Sequence, residues 1–455
     1  MSVTAGTSRA GVLVVVLLLA WTERAAASGP MLPRFGAEHG HPTTANPTAV
    51  YYNPAALTLG TETRVYVEGQ LGSLHMTYER PEAPTDAPDP PDAEGANTGT
   101  ARLDALAFAP GVAGKMRFGQ LAVGLGLYVP LGGVVDFDKN ERFRDSAYPS
   151  AYDGVQRFSI VRGRTAWTYL TAAAAYSFGE PRLSVGLSVN LIRGTLKADA
   201  ARTTAGDNNL LSETRLLTDV SDWRWSLGVG ALYEAIEEQL WFGASYQSRP
   251  RGDTMSGDFR QSIAGNVSTQ AADFRYKLPD IARLGARFAA SERLELRLFG
   301  DYTRWSVHDR LCLTSAGEPC DLQDDGAPAE GAHVLANLPR NWEDALGVRA
   351  GGSYWPVPEL EVFVGAGFDS NPIPNATLDS TSMFGSNVSG ALGARVQTLS
   401  WLFVGSSYTH FHYFSRDNAG KSRLQTYAVP SRSPDTGGRY EQWAGIVHLN
   451  VEAAF

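Results

Sequence analysis

Strict two-residue alternation recurs along this chain and leaves few folds open. In "LAVGLGLYV", Leu121, Val123, Leu125, Leu127 and Val129 share one face, while Ala122, Gly124 and Gly126 take the other. In "RLELRLFGDY", Leu294, Leu296 and Leu298 alternate with Arg293, Glu295 and Arg297. In the last segment Trp443, Val447, Leu449, Val451, Ala453 and Phe455 oppose Gln442, His448, Asn450 and Glu452. A helix repeats every 3.6 residues, so this pattern argues for strands with one apolar face. A soluble sandwich alternates too, but these strands reach the roughly 9–11 residues that a tilted strand needs to cross a bilayer. Their second face carries Arg, Glu, Asn and Gly, as a polar lumen would. Tyr and Trp fall near segment ends, among them Tyr66, Tyr78, Trp167, Tyr169, Trp223, Trp241, Trp401 and Trp443. Girdles at two membrane interfaces produce such a distribution.

The first residues fit an export signal. Arg9 is followed by the apolar run "VLVVVLLLAW" (Val12–Trp21), and Ala25-Ala26-Ala27 offers an A-x-A site. The run is short of the roughly 20 residues of a spanning helix, which disfavours a membrane anchor. Residues 1–27 are therefore expected to be a signal peptide, and no later run is longer than "LTAAAAY". The net charge of −9 argues against nucleic acid, which calls for a basic face. Cys312 and Cys320 lie close together in "LCLTSAGEPC". In an oxidising compartment a loop-closing disulfide is expected, with two reduced thiols as the alternative.

Alternation and turn signals place strand centres near residues 70, 110, 125, 168, 190, 228, 245, 282, 300, 348, 364, 391, 406 and 447. Pro81–Gly99 is an acidic, proline-rich linker, and Ala200–Asp219 and Ser315–Arg340 read as long loops. "GEPRL" (Gly179–Leu183) and "AIEEQ" (Ala235–Gln239) read as short periplasmic turns.

The segments "RFGAEHG", "NPTAVYYNPAAL", "WRWSLGVGALYE", "LPDIARLGARF", "LFGDYTRWS" and "GVRAGGSYWPVPELEVFVGAGFDSNPIP" follow one another along the chain. Together they resemble the FadL-like family of outer-membrane long-chain fatty acid and aromatic hydrocarbon transporters. The resemblance spans nearly the whole mature chain, and Asn53-Pro54-Ala55 is its hallmark. It implies an all-β, fourteen-stranded antiparallel barrel over residues 61–455, plugged by a hatch over 28–60. Phe35, Asn53, Pro54, Ala55 and Leu57 would belong to that hatch and lie inside the lumen. A terminal aromatic such as Phe455 resembles the assembly signal of such barrels. The family also has a kinked third strand that opens the wall sideways.

That kink has a counterpart in the residues. Pro130 interrupts the third strand and Gly132 and Gly133 follow. Proline withholds a ladder donor and glycines permit a bulge, so Pro130, Gly132 and Gly133 are the expected lateral opening. The alternative is a strand that has already left the bilayer. The expected function is passive uptake of a hydrophobic molecule, such as a long-chain fatty acid or an aromatic hydrocarbon. Lys197, Arg202 and Arg340 are the expected partners of a substrate head group, with contacts to lipopolysaccharide or solvent as the alternative for each. The expected surroundings are outer-membrane lipid and lipopolysaccharide, and the expected state is a monomer. No cofactor or metal is called for. His410 and His412 share a strand face but lack a third ligand, and "DLQDDG" lacks the distant Glu of a calcium loop. A barrel enzyme of lipase or protease type and a structural or adhesin barrel remain alternatives. No G-x-S-x-G signature supports the enzyme.

Overall fold

The structure is a computed structural model that describes residues 34–83, 89–180, 182–263, 266–381 and 385–455. The expected signal peptide and the first residues of the expected hatch lie outside the described residues.

Among the described residues nineteen strands form one antiparallel sheet. In chain order they are β1 (Arg64–Arg80), β2 (Gly99–Phe118), β3 (Leu121–Asp136), β4 (Arg162–Ser177), β5 (Leu183–Thr203), β6 (Glu213–Ile236), β7 (Leu240–Gln247), β8 (Thr254–Ile263), β9 (Asn266–Arg275) and β10 (Ile281–Ser291). They continue with β11 (Leu294–Thr303), β12 (Arg310–Ser315), β13 (Val334–Pro339), β14 (Ala345–Val357), β15 (Leu360–Asp369), β16 (Asn387–Leu399), β17 (Leu402–Tyr413), β18 (Arg416–Asp417) and β19 (Arg439–Ala454). Fourteen of them close a ring. β1 to β7 follow one another, then β7 pairs with β10, β11 with β14, β17 with β19, and β19 with β1. Each expected strand centre falls within one of these fourteen strands.

Closure follows from the solvent. Hydrocarbon offers no partner to a free N–H or C=O, so a spanning sheet must have no edge. The alternation sorts the side chains accordingly. Leu125, Leu187, Leu284, Leu392 and Leu449 are exposed on the outer face, as a lipid-facing band requires. Gln70, Asn190, Ser226, Arg283, Arg297 and Glu361 alternate with that band and are buried inside. Short junctions at 118–121, 236–240, 291–294, 357–360 and 399–402 gather at one end. That end is periplasmic by the rule that outer loops are the long ones.

The other end carries what sequence patterning missed. Ala200–Asp219 is largely a ladder, not a loop, since β5 and β6 stay paired out to Thr203 and Glu213. β6 then pairs with β8, β8 with β9, β9 with β12, and β12 with β13, in an outer extension. β13 lies in the expected Ser315–Arg340 loop. These strands stand clear of lipid, so nothing demands an apolar outer face, and the alternation signal fades. Cys312 on β12 is joined to Cys320, with Cα atoms 6.3 Å apart. The girdle reading also needs correction. Trp223, Trp401 and Trp443 do face outward, but Tyr66, Tyr78, Trp167, Tyr169 and Trp241 point into the interior and pack there.

Leu449→Arg places a charge on the lipid face about midway along β19. It is expected to cost about 2–4 kcal/mol of barrel stability. Urea unfolding in lipid vesicles measures this, and the same substitution at lumen-facing Asn450 should cost less.

Candidate functional site

The N-terminal segment sits inside the ring as a chain of short turns. Both of its Asn-Pro pairs work alike. Asn46 Oδ1 accepts from Thr48 N at 3.0 Å and opens α1 (Ala49–Tyr52). Asn53 Oδ1 accepts from Ala55 N at 3.1 Å and opens the 3-10 turn Pro54–Thr58. Proline in the first turn loses nothing, because that N–H has no helical partner. The amide nitrogens face the other way, toward the barrel. Asn46 Nδ2 donates to Glu452 at 3.0 Å, and Asn53 Nδ2 donates to Ala231 O at 2.9 Å and Pro42 O at 2.7 Å.

Wall glycines make room for this contact. A Cβ at Gly186 would strike Pro54 and Ala55, and one at Gly230 would strike the Asn53 side chain. Asn53, Pro54, Ala55 and Leu57 are all buried against the lumen wall. Phe35 stacks on Tyr128 of β3 at 4.6 Å. Further up the segment, Gly36 N donates to Glu68 at 2.8 Å, and His39 meets Glu361 at 2.9 Å. At the periplasmic foot, Lys115 donates to Leu59 O and Arg117 to Thr58 O. His41 is buried in the plug with its Nδ1 3.0 Å from Thr43 Oγ1.

The ring has one long interruption of its ladder beside this plug. β2 and β3 pair from Phe118↔Leu121 up to Gly111↔Tyr128 and no further. β3 stays on β4, with a bulge between Tyr128 and Leu131, and runs on to Asp136↔Arg162. The edges meet again where Asp138 N donates to Arg102 O at 2.9 Å. Between these two points β2 residues 103–110 face β3 residues 129–136 with no ladder. Pro130 lies in the bulge, and Gly132 and Gly133 follow on the unpaired edge. The bulge also rotates Val129. It leaves the outward face of Leu121 and Leu125 and packs with Ala109.

Two cavities meet behind this window. An inner one of about 130 Å³ lies against the plug and is lined by Tyr51, Tyr52, Pro130, Leu131, Arg283 and Phe411 among others. An outer one of about 230 Å³ is lined by Leu131, Gly132, Gly133, Trp167, Phe259 and Trp342 among others. Leu131 borders both. The three expected head-group cations, Lys197, Arg202 and Arg340, line the outer cavity together. Each already has partners. Lys197 pairs with Asp219 at 2.7 Å and is largely exposed. Arg202 donates to the carbonyls of Pro430 and Arg432. Arg340 holds Asp379 at 2.7 Å and Thr381 at 3.0 Å. His308 also lines this cavity, and burial followed by Arg340 pushes its pKa down to about 3. Arg283, on the inner cavity, was not singled out by sequence reasoning. The signal was present in "ARLGARF", where Arg283, Gly285 and Arg287 alternate with apolar residues and so face inward. His410 and His412 are exposed on the outer face. Among the described residues no three His, Cys, Asp or Glu gather as a metal site.

Fold and lumen together define an outer-membrane barrel plugged by its own N-terminal segment. The profile of the outer membrane protein transport protein family (OMPP1/FadL/TodX) matches residues 36–381. The chain belongs to that family, and it is an outer-membrane protein. It is 23% identical over 443 residues to a putative outer membrane protein of Neisseria meningitidis serogroup B, covering 90% of each chain. The fold is similar to that of a Pseudomonas aeruginosa FadL homologue, with a TM-score of 0.73, 17% identity, and coverage of 94% of this chain and 98% of that one. It is also similar to the Pseudomonas putida toluene transporter TodX, with a TM-score of 0.65, 13% identity, and coverage of 95% and 99%.

Asn53→Ala removes a turn cap and both amide contacts. It is expected to loosen the plug by about 1–3 kcal/mol while the ring persists. Hydrogen exchange should show residues 42–58 losing protection and β5 and β6 keeping theirs.

His308 gives a pH dependence. Its pKa is depressed from 6.5 to about 3, so the unfolded chain takes up the proton first. Stability of the outer end should therefore fall as pH drops from about 6.5 toward about 3. Comparing acid unfolding of wild type and His308→Asn checks this, since the variant should lose that part of the slope.

Proposed function

We propose that the protein is a passive channel for uptake of hydrophobic molecules, such as long-chain fatty acids or aromatic hydrocarbons. One observation carries the reading: both apolar cavities meet at the residues where the β2–β3 ladder stops. In this reading a molecule enters the outer cavity and loses water against Trp167, Phe259 and Trp342. It then passes Leu131, either inward over the plug or sideways past Pro130, Gly132 and Gly133 into the bilayer. Transfer of apolar surface from water drives capture, at roughly 25 cal/mol per Å². No energy input is needed while the cell consumes the substrate. The plug, residues 28–60 in this reading, closes the straight route. Family membership and the relatives' described transport of toluene and monoaromatic hydrocarbons support the same class of cargo.

Cells carrying the gene should accumulate labelled fatty acid or toluene faster than cells lacking it, and equal uptake would sink the proposal. Replacing Pro130, Gly132 and Gly133 together with Val is expected to slow uptake while leaving the amount of folded barrel unchanged. Unaltered uptake in that variant would count against the sideways route alone.

A further inference from the structure

One sector of the outer wall turns basic just above the lipid-facing band. Along β5 the outward face runs through the exposed Leu187, Val189 and Leu191 and then changes to Arg193 and Lys197. On β4 the same face runs from Leu170 up to Arg164 and Arg162. On β6 it runs from Leu227 through Trp225 and Trp223 to Asp219. The strand register sets Arg164, Lys197 and Asp219 in one row and Arg193 beside Trp223 in a lower one. Trp223 and Trp225 are 63% and 43% exposed, and each carries a guanidinium. Arg193 lies 5.4 Å from the Trp223 ring centre, and Arg251 lies 5.2 Å from that of Trp225. Indole rings settle at the hydrocarbon border, and long cationic side chains reach from there into the headgroup layer.

The acids on this face do not use up its cations. Arg162 shares Asp199 with Arg215, and Lys197 pairs with Asp219. Arg193 donates to Ser221 Oγ at 2.8 Å and to Asp222 O at 3.3 Å, both neutral. Among the described residues neither Arg164 nor Arg251 has a carboxylate within ion-pair distance, and both are exposed. The pairs of Arg162 and Lys197 are largely open to solvent, and such pairs hold their donors only weakly. The sector has limits. Toward β8, Asp219 faces Asp258. On the far side of the ring, the outer ends of β1, β2 and β19 expose Glu79, Asp104 and Glu441 beside Arg102 and Arg439. The chain as a whole carries −9, so composition does not account for a basic sector.

We propose that this sector docks the phosphorylated headgroup of an outer-leaflet lipid. Arg164, Arg193 and Lys197 hold phosphate oxygens, for which the planar fork of arginine is suited. Trp223 and Trp225 pack against the upper ends of the acyl chains. Arg193 and Lys197 stand about 13 Å apart along β5, which leaves room for more than one phosphate. For Lys197 the assignment takes the lipid contact in place of a substrate head group. It does not depend on the uptake reading, although it places a bound lipid close to the wall window, since Arg164 pairs with Val134 on the strand that forms one edge of that window.

The test uses the full mature chain in detergent micelles and counts bound lipid by native mass spectrometry. The probes are lipid A carrying two phosphates, the same lipid with both phosphates removed, and inorganic phosphate as competitor. Wild type should bind the phosphorylated form about tenfold or more tighter, the size of a charge-assisted contact. Replacing Arg164, Arg193 and Arg251 together with Gln is expected to weaken lipid A about fivefold per cation removed. The far-side variant Arg102→Gln with Arg439→Gln should bind it as wild type does. Equal binding of the two lipid forms overturns the proposal, and this arm needs no substitution. A triple variant with undiminished binding overturns it as well, as does an equal loss per cation in the far-side variant. If millimolar inorganic phosphate displaces lipid A, the sector holds the ion alone and the lipid assignment falls.

Discussion

Hydrocarbon contains no water to satisfy a broken β-ladder, and every other feature of this barrel answers to that fact. Thirteen of the fourteen junctions between ring strands keep a partner across the membrane, with bulges near strand ends except for the mid-strand one that β3 makes against β4 at Tyr128–Leu131. The β2–β3 junction alone gives up its ladder over residues 103–110 and 129–136. Such a gap is tolerated where the backbone faces protein or lines a cavity instead of lipid. Here the cavities behind Pro130–Gly133 and the Ala109–Val129 contact supply that cover. Proline lowers the loss further, since it has no N–H to leave unpaired.

A lumen of this width faces the same problem from within. The inward side chains include several charges, and most are paired by other inward charges or by the plug. Glu452 illustrates the economy of contacts. It meets Arg64 and Arg395 from the wall and Asn46 from the plug. The plug in turn is irregular backbone, which needs its own partners at membrane depth. The repeated Asn-Pro supplies them at two points. One side chain caps a turn with its oxygen and holds the wall with its nitrogen, so each asparagine settles the plug internally and fixes its position. Glycine on β5 and β6 is required opposite the second pair, because any Cβ there would displace it.

Much of this was legible in sequence, and the boundary between legible and illegible is physical. Lipid imposes period two on the outer face, so the ring strands could be located from residues such as Leu125, Leu298 and Leu449. The turn chemistry of Asn46-Pro47 and Asn53-Pro54 was legible too, as was the break at Pro130. Outside the membrane that demand vanishes, and β8, β9 and β13 left no comparable trace. Aromatics misled for a related reason. A Tyr or Trp near a strand end fits a girdle, yet a lumen filled with a plug also needs large rings, as Trp167 and Trp241 show. Basic residues were the hardest to assign. Sequence gives the face on which an arginine sits but not its partners, and partners separate Arg340, held by Asp379 and Thr381, from Arg283, which has no acid among the described residues.

The two exits open to a molecule in the inner cavity differ in what they ask of it. Downward, it must displace the foot of the plug, where Lys115, Arg117 and the Thr58–Ser184 contact hold the chain. Those groups are hydrogen-bonded, and all but the half-buried Arg117 are buried, so an apolar molecule offers nothing in return for the bonds it would break, each leaving a group whose desolvation costs about 1–3 kcal/mol. Sideways, it meets Leu131, two glycines and the apolar Ala109–Val129 contact, and breaks no ladder because none is there. In the proposed mechanism the direction of transport therefore needs no moving gate. On that proposal the lumen is polar where passage would be wasteful and apolar where the wall ladder is interrupted, and the substrate's own aversion to water selects between them.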